Sequence, residues 1–118
     1  MEDRVKKLAK NIVSYSIALK PKEKVLIEAK DADCRIVNAL IEEIYKVGGY
    51  PYVQIISSDI QKNILKNISK ESLQPEVDIK LNQIKQMDAW IGIRGVYNLF
   101  ELSDVPKENM KLYNKLSD

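Results

Sequence analysis

The sequence contains no histidine among its 118 residues, and this absence restricts its chemistry more than any other feature. It excludes an HExxH zinc-peptidase helix, a serine or cysteine triad with a histidine base, and any histidine metal ligand. The single cysteine, Cys34, excludes an internal disulfide and a zinc site built from cysteines, which suits a reducing cytosol. If this sequence belongs to an enzyme of those kinds, its catalytic half is missing.

An excess of one sign of charge and a long apolar segment are also lacking. The 19 basic and 17 acidic residues leave a net charge of +2, which gives no reason to expect nucleic acid or a membrane as a partner. The lysines at 6, 7, 10, 20, 22 and 24 are interspersed with acids, and we interpret them as a solvated helix face and a loop. The charged start, MEDRVKK, leads into no apolar core, so we expect neither a signal peptide nor a membrane span.

Helical and strand-like segments alternate along the chain. Apolar residues at helical spacing predict a first helix over about residues 3–18, ended by the proline of LKPKEK. Asp33 is a good N-cap for a second helix, which Gly48 and Gly49 close. The predicted buried stripe of that helix is Val37, Leu40, Ile41 and Ile44. Short apolar runs predict three strands, at 25–29, 52–56 and 89–93.

Three further helices are expected. Ser58 or Asp59 can cap the third, and Pro75 sits near the start of the fourth. Pro106 favours the first turn of a fifth helix that runs to the end of the sequence. The fourth helix is expected to bury Val77, Leu81 and Ile84.

Strands that alternate with helices, each strand a continuous apolar run, predict a parallel sheet covered on both faces. With right-handed crossovers, the expected fold class is α/β: a three-layer doubly wound sandwich with a short parallel sheet in the order 2-1-3. Length and composition predict a single domain over residues 1–118. The residues expected to be mostly buried in the sheet are Val25, Leu26, Ile27, Val53, Ile55, Ile91 and Ile93.

Several common sites are excluded by the residues after the first strand. The loop AKDADC contains no glycine, which excludes a dinucleotide-binding turn and a phosphate-binding P-loop. The spacing of its aspartates resembles a calcium loop. Arg35 occupies the fifth position of such a loop, and Ile36 occupies the position where glycine is required, which argues against calcium binding. Asp31 is therefore interpreted as solvated, and the adjacent Glu42 and Glu43 as a solvated helix face.

Arg94 is the most informative single polar residue. It follows the third strand and precedes Gly95, so its planar guanidinium can bind a carboxylate through two hydrogen bonds. The alternative is a structural ion pair with Asp31, Glu101 or Asp104.

Three segments resemble the beginning of the thermophilic aminopeptidase family, which contains aminopeptidases T and S. They are LAKNIVSYSIALKPKEKVLIEA, then LIEEIYKVGGYPYVQI, then DAWIGIRGVYNLFELSDVP with the following KENMKLYNK. The resemblance covers nearly all 118 residues in the same order, and IRG…N…ELSDVP is its most specific part.

The resemblance implies the N-terminal domain of a longer, two-domain, cytoplasmic and homodimeric metalloaminopeptidase that removes N-terminal amino acids from peptides. It implies two divalent metal ions in the parent enzyme, reported as zinc, cobalt or magnesium, with their ligands in a C-terminal domain beyond residue 118. No catalytic residue, metal ligand or cofactor is therefore expected in this sequence, which we expect to be inactive alone. The alternative is a stand-alone α/β binding or oligomerisation module without catalysis.

The expected place of a substrate cleft is the carboxyl edge of the sheet, where the strand order reverses. We expect residues 94–104 to lie there and to face the metal-binding domain of the parent. On this hypothesis, the cleft is lined by Arg94, Asn98 and Glu101, with Lys30 and Asp31 nearby. The alternative is a turn held together by its own polar residues, with Asp104 as the cap of the last helix.

Overall fold

The structure is a computed structural model that describes residues 2–95 and 99–104. Its centre is a sheet in the order β2-β1-β3-β4. The strands are β1 (Lys24–Lys30), β2 (Tyr50–Ile56), β3 (Ala89–Arg94) and β4 (Leu99–Asp104). β1 pairs in parallel with β2 on one side and with β3 on the other. The predicted α/β fold class and the parallel 2-1-3 order are therefore confirmed.

The fourth strand was not expected from the sequence. β4 runs antiparallel to β3, so that Arg94 is opposite Leu99 and Ala89 is opposite Asp104. Gly95 adopts a φ of +70°, a left-handed conformation that favours glycine, at the end of β3. Antiparallel strands need only a short connection, so the segment that we expected at the carboxyl edge returns along β3. Asp104 consequently lies in a strand rather than at a helix cap.

Four α-helices complete the described part of the chain, at Glu2–Asn11 (α1), Cys34–Lys46 (α2), Ser58–Leu65 (α3) and Lys70–Lys85 (α4). The first predicted helix does not continue as an α-helix to residue 18, because a π-helical segment, Ile12–Ser16, follows α1. The cap of α3 is Ser57 rather than Ser58 or Asp59, since the Ser57 side chain accepts the Ile60 N–H. α4 begins earlier than predicted and contains Pro75 within its length.

The second helix forms as the sequence predicts. The Asp33 side chain accepts the Arg35 N–H at 2.9 Å and caps α2. Gly48, at a φ of +84°, allows the chain to turn after the helix. Of the predicted stripe, Ile41 is half-buried and the other three residues are buried. Glu43 is also buried and pairs with Lys46, so the expected solvated face holds only for Glu42.

The two faces of the sheet are covered unequally. α1 and α2 cover the first face over the main core, whose largest fully buried side chains include Ile27, Ile36, Leu40, Ile44, Ile91 and Ile93. On the second face, the core cluster is small and contains Leu26, Ile84, Met87 and Trp90. α3 buries no residue. Most of the packing energy therefore comes from the first face.

Two predicted core residues are exposed. Val53 is 39% and Ile55 is 71% exposed, although both lie in a continuous apolar run. β2 is the edge strand among the described residues, so these side chains have strand neighbours on one side only. The prediction that they are buried was wrong because an apolar run reveals strand formation but not position in the sheet.

The predicted fifth helix, from Pro106, lies outside the described residues. Within residues 2–95 and 99–104, none of the helices has both the length and the apolar character needed to cross a membrane.

Candidate functional site

The carboxyl ends of β1 and β3 lie side by side, as the predicted topology requires. Lys30 is the register partner of Arg94, and the N–H of Gly95 donates to the Lys30 carbonyl at 2.9 Å. Register partners in neighbouring strands point to the same face, so this edge carries two adjacent cations on the second face of the sheet. Asp31 follows Lys30 directly. Three of the five residues expected in a cleft are thus brought together.

Asp31 links this edge to the start of α3. Its N–H donates to the Ile56 carbonyl at 3.0 Å, and its carboxylate accepts the Ser58 N–H at 3.0 Å. The hydrogen bonds with Ser58 lower the pKa of Asp31 below its usual value, because they favour the ionised form. Asp31 is exposed, as predicted, but it also has this structural role.

The other two residues of the predicted cleft do not join this group in the structure. The backbone of Glu101 is opposite Gly92, two residues before the end of β3, so its position is inside the sheet register rather than at the carboxyl edge. Asn98 lies outside the described residues. The expectation that all of 94–104 lies at the edge is corrected by β4, which carries the chain back along β3.

A depression in the described surface lies elsewhere, on the second face of the sheet between β2 and the helices α3 and α4. It is an open groove of about 1100 Å³. Its walls include the exposed apolar side chains of Tyr52, Ile60, Ile64 and Ile79. An exposed apolar surface of this kind is typical of a site that another polypeptide or a ligand covers.

A polar network lies at the floor of the groove. Lys80 of α4 is buried, and its Nζ donates to Oε2 of Glu28 at 2.5 Å and to Oε1 of Gln54. The indole Nε1 of Trp90 donates to the other Glu28 oxygen at 2.6 Å. Glu28, Gln54 and Trp90 come from three adjacent strands, so one lysine connects α4 to the middle of the sheet. Both charges are paired and hydrogen-bonded, as burial requires.

This network was not predicted from the sequence, and Leu81 was expected in the buried stripe of α4. The buried residues are Val77, Lys80 and Ile84, while Leu81 is half-buried. The lysine stem packs as an apolar chain while its ammonium reaches a carboxylate, so Lys80 can occupy a buried position. Two signals were present: Glu28 interrupts an apolar strand, and Lys80 lies at helical spacing between Val77 and Ile84.

The start of α2 carries another charged pair, which lies nearer the surface and beside the single cysteine. The Arg35 side chain donates two hydrogen bonds to Oδ2 of Asp33, at 3.0 and 2.6 Å. These bonds and the Arg35 N–H lower the pKa of Asp33 to about 2. Cys34 is exposed. The pair acts as a helix cap and gives no chemistry beyond that.

The described residues do not fit a metal centre. No group of three or more histidine, cysteine, aspartate or glutamate side chains able to hold a metal ion occurs in residues 2–95 and 99–104. Glu28 lies at the groove, and its carboxylate accepts hydrogen bonds from Lys80 and Trp90. Asp31 lies at the edge, and its carboxylate accepts one from Ser58. A metal-dependent step cannot be assigned to these side chains.

Comparison with known proteins gives a match to a protein family and matches to solved structures. Residues 1–118 match the family described as thermophilic metalloprotease. Among solved structures, the chain is similar to wild-type AmpT from Thermus thermophilus, with a TM-score of 0.61 and 17% identity. The similarity covers 77% of this chain and 24% of the AmpT chain, so this chain spans about a quarter of that protein. At this identity, the structural match shows the fold alone. A search of curated proteins found no match.

The buried ion pair between Lys80 and Glu28 predicts that substitutions of the two residues have coupled effects on stability. Lys80→Met removes the cation and leaves the Glu28 carboxylate buried without it, so we expect a loss of about 3–5 kcal/mol in the free energy of unfolding. Glu28→Gln should also destabilise the protein, and the double variant should lose less than the sum of the two single losses. Urea unfolding followed by the fluorescence of Trp90, the single tryptophan, measures all three. Lys85→Met, an exposed lysine on the same helix, is the control. Additive losses would contradict the coupling.

The low pKa of Asp33 predicts a specific acid dependence of stability. A carboxyl group with a lowered folded pKa stabilises the fold above its unfolded pKa, and this contribution is lost as the pH falls from about 4 towards 2. Asp33→Asn keeps a capping oxygen but removes the charge, so its melting temperature should be lower near neutral pH and should fall less steeply between pH 4 and 2. Circular dichroism melting at each pH measures this. Asp3→Asn, exposed on α1, should keep the wild-type slope; an unchanged slope in Asp33→Asn would refute the assignment.

Proposed function

Since the chain belongs to the thermophilic metalloprotease family, we propose that it is the N-terminal, non-catalytic domain of a longer metal-dependent aminopeptidase. The observation that supports this proposal is the family match over residues 1–118. The chain shares its fold with about a quarter of the AmpT chain. The parent enzyme removes N-terminal amino acids from peptides, in the cytoplasm, as a homodimer.

The metal chemistry belongs to another part of the parent enzyme in this proposal. Two divalent ions, of zinc, cobalt or magnesium, are held by side chains that this sequence does not contain. The N-terminal domain contributes binding and orientation of the peptide, which lower the barrier when the reacting groups are held in place.

The proposed contact with substrate is the carboxyl edge of the sheet. Lys30 and Arg94 are adjacent there, and a pair of cations is suited to a carboxylate of the bound peptide. Asp31 holds the edge against α3 and supplies a carboxylate beside the two cations. Glu101 and Asn98 are not assigned to this wall, because β4 places the backbone of Glu101 opposite Gly92 and Asn98 lies outside the described residues.

A second candidate function is a stand-alone binding or oligomerisation module. The exposed apolar groove favours it, because a surface of this kind needs no catalytic residue. The reading frame after the codon for Asp118 separates the two proposals. A stop codon there would favour the module, and a continuing frame with histidine and carboxylate ligands would favour the aminopeptidase.

The first functional prediction concerns activity. We expect the 118-residue chain to release no leucine from a leucyl dipeptide in the presence of zinc, cobalt or magnesium ions. The full-length parent should release leucine under the same conditions and should lose this activity when a chelator removes the metal. Metal-stimulated release by the 118-residue chain alone would contradict the proposed role.

The second functional prediction concerns Arg94 in the parent enzyme. If this side chain contacts substrate, Arg94→Ala should lower kcat/KM by at least about tenfold, which corresponds to about 1.4 kcal/mol, with little change in melting temperature. Arg4→Ala is the matched control, because Arg4 is an exposed arginine on α1. A lower melting temperature with unchanged activity per folded molecule would instead make Arg94 a structural residue.

A further inference from the structure

Lys30 is a half-buried cation at the carboxyl end of β1. Side chains alternate along a strand, so Lys30 lies on the second face of the sheet with Leu26 and Glu28. Within residues 2–95 and 99–104, none of the ion pairs includes Lys30. Partial burial removes water from its ammonium group, and an anion that binds beside this group restores the lost solvation.

The acid that follows Lys30 is held on the other side of the strand. The Asp31 carboxylate accepts the N–H of Ser58, the first residue of α3, which follows β2 in the chain. The first N–H groups of a helix favour a negative charge at this position. Because β2 and β3 flank β1 on opposite sides, Asp31 is bound on the β2 side, while Arg94 lies on the β3 side. Lys30 and Arg94, which we call the edge pair, therefore present two cations next to an acid that is already engaged.

We propose that the edge pair binds the C-terminal carboxylate of the peptide substrate, so that the parent enzyme prefers short peptides with a free C-terminus. This inference rests on the proposed aminopeptidase function and adds a substrate class to it. The guanidinium of Arg94 can donate two parallel hydrogen bonds to a carboxylate, and Lys30 adds a point charge from the neighbouring strand. A side-chain carboxylate occurs only in peptides that contain aspartate or glutamate, whereas every unmodified peptide ends in a carboxylate.

An anion site at a fixed distance from the catalytic centre selects peptides by their length. The edge pair stands on two hydrogen-bonded strands, and β1 is paired on both of its sides, so its backbone position is fixed. Each added residue lengthens an extended peptide by about 3.3–3.6 Å, so the terminal carboxylate meets the edge pair only in a narrow range of lengths. A longer peptide places a neutral peptide group there, and an amidated peptide places a neutral amide. Neither group accepts charge-assisted hydrogen bonds as strongly as a carboxylate does.

The 118-residue chain tests the carboxylate contact without catalysis. N-acetyl-leucylglycine carries the terminal carboxylate, and its C-terminal amide is the uncharged probe. In an NMR titration, the acid should shift the N–H resonances of Lys30 and Gly95 saturably at millimolar concentration, and the amide should shift neither. Lys30→Gln should raise the dissociation constant of the acid at least about threefold, as expected for a partly exposed ion pair, and Lys30→Arg should restore binding. Lys24→Gln is the matched control, because Lys24 is also half-buried on the second face of β1 but lies at its other end.

In the parent enzyme, kcat/KM is compared between each free acid and its C-terminal amide for leucyl dipeptides, tripeptides and tetrapeptides of glycine. At the preferred length the acid should exceed the amide by at least about tenfold, and Lys30→Gln should bring this ratio close to one. Equal values for acids and amides at every length overturn the inference, and so does a Lys30→Gln variant that keeps the wild-type ratio. A parent enzyme that cleaves neither probe contradicts the proposed function instead. In that case the titration still decides the carboxylate contact, which is overturned if acid and amide shift the two resonances equally or not at all.

Discussion

The pairing of β1 on both of its sides positions the rest of the described structure. β1 hydrogen-bonds in parallel with β2 and β3, and its ends are held by side chains from distant segments. At its start, Asp88 accepts the Lys24 N–H at 2.9 Å and donates its own N–H to the Lys24 carbonyl at 2.7 Å. At its end, Asp31 connects to Ile56 and Ser58. A strand fixed at both ends and on both sides sets the register of its neighbours.

The alternation of side chains along β1 gives the two faces of the sheet different characters. Val25, Ile27 and Ala29 are buried in the main core under α1 and α2. Leu26 and Glu28 point to the other face, where the apolar cluster is small and a buried ion pair joins it to α4. An ion pair desolvated in this way contributes little net stability, but it strongly disfavours alternative positions of the helix, since a shift would leave two buried charges unpaired. Lys80 thus fixes α4 where apolar packing is sparse.

The sparse packing of the second face leaves part of the surface open and apolar. The chain belongs to the thermophilic metalloprotease family, and its fold is also seen in part of AmpT. The exposed groove and the cationic carboxyl edge are two surfaces that the main core leaves open. These surfaces lie on different parts of the sheet, because the groove lining includes neither Lys30 nor Arg94.

Much of the fold was determined by local features that the sequence displays directly. Helix periodicity, the Asp33 cap, the glycines after α2 and three apolar runs predicted the elements and the order of the parallel strands, because these signals act over a few residues. The meeting of Lys30, Asp31 and Arg94 at one edge followed from the topology, since parallel strands end together. The absence of histidine alone excluded several kinds of catalytic site.

The tertiary structure decided the features that depend on non-local partners. Val53 and Ile55 look like core residues, and only the position of β2 at the sheet edge exposes them. Lys80 looks like a surface residue, and only Glu28, far away in sequence, allows it to be buried. Residues 99–104 were expected at the carboxyl edge of the sheet, and the available edge of β3 makes them a strand. In each case the deciding free energy comes from a neighbour distant in sequence, so no local pattern contains it.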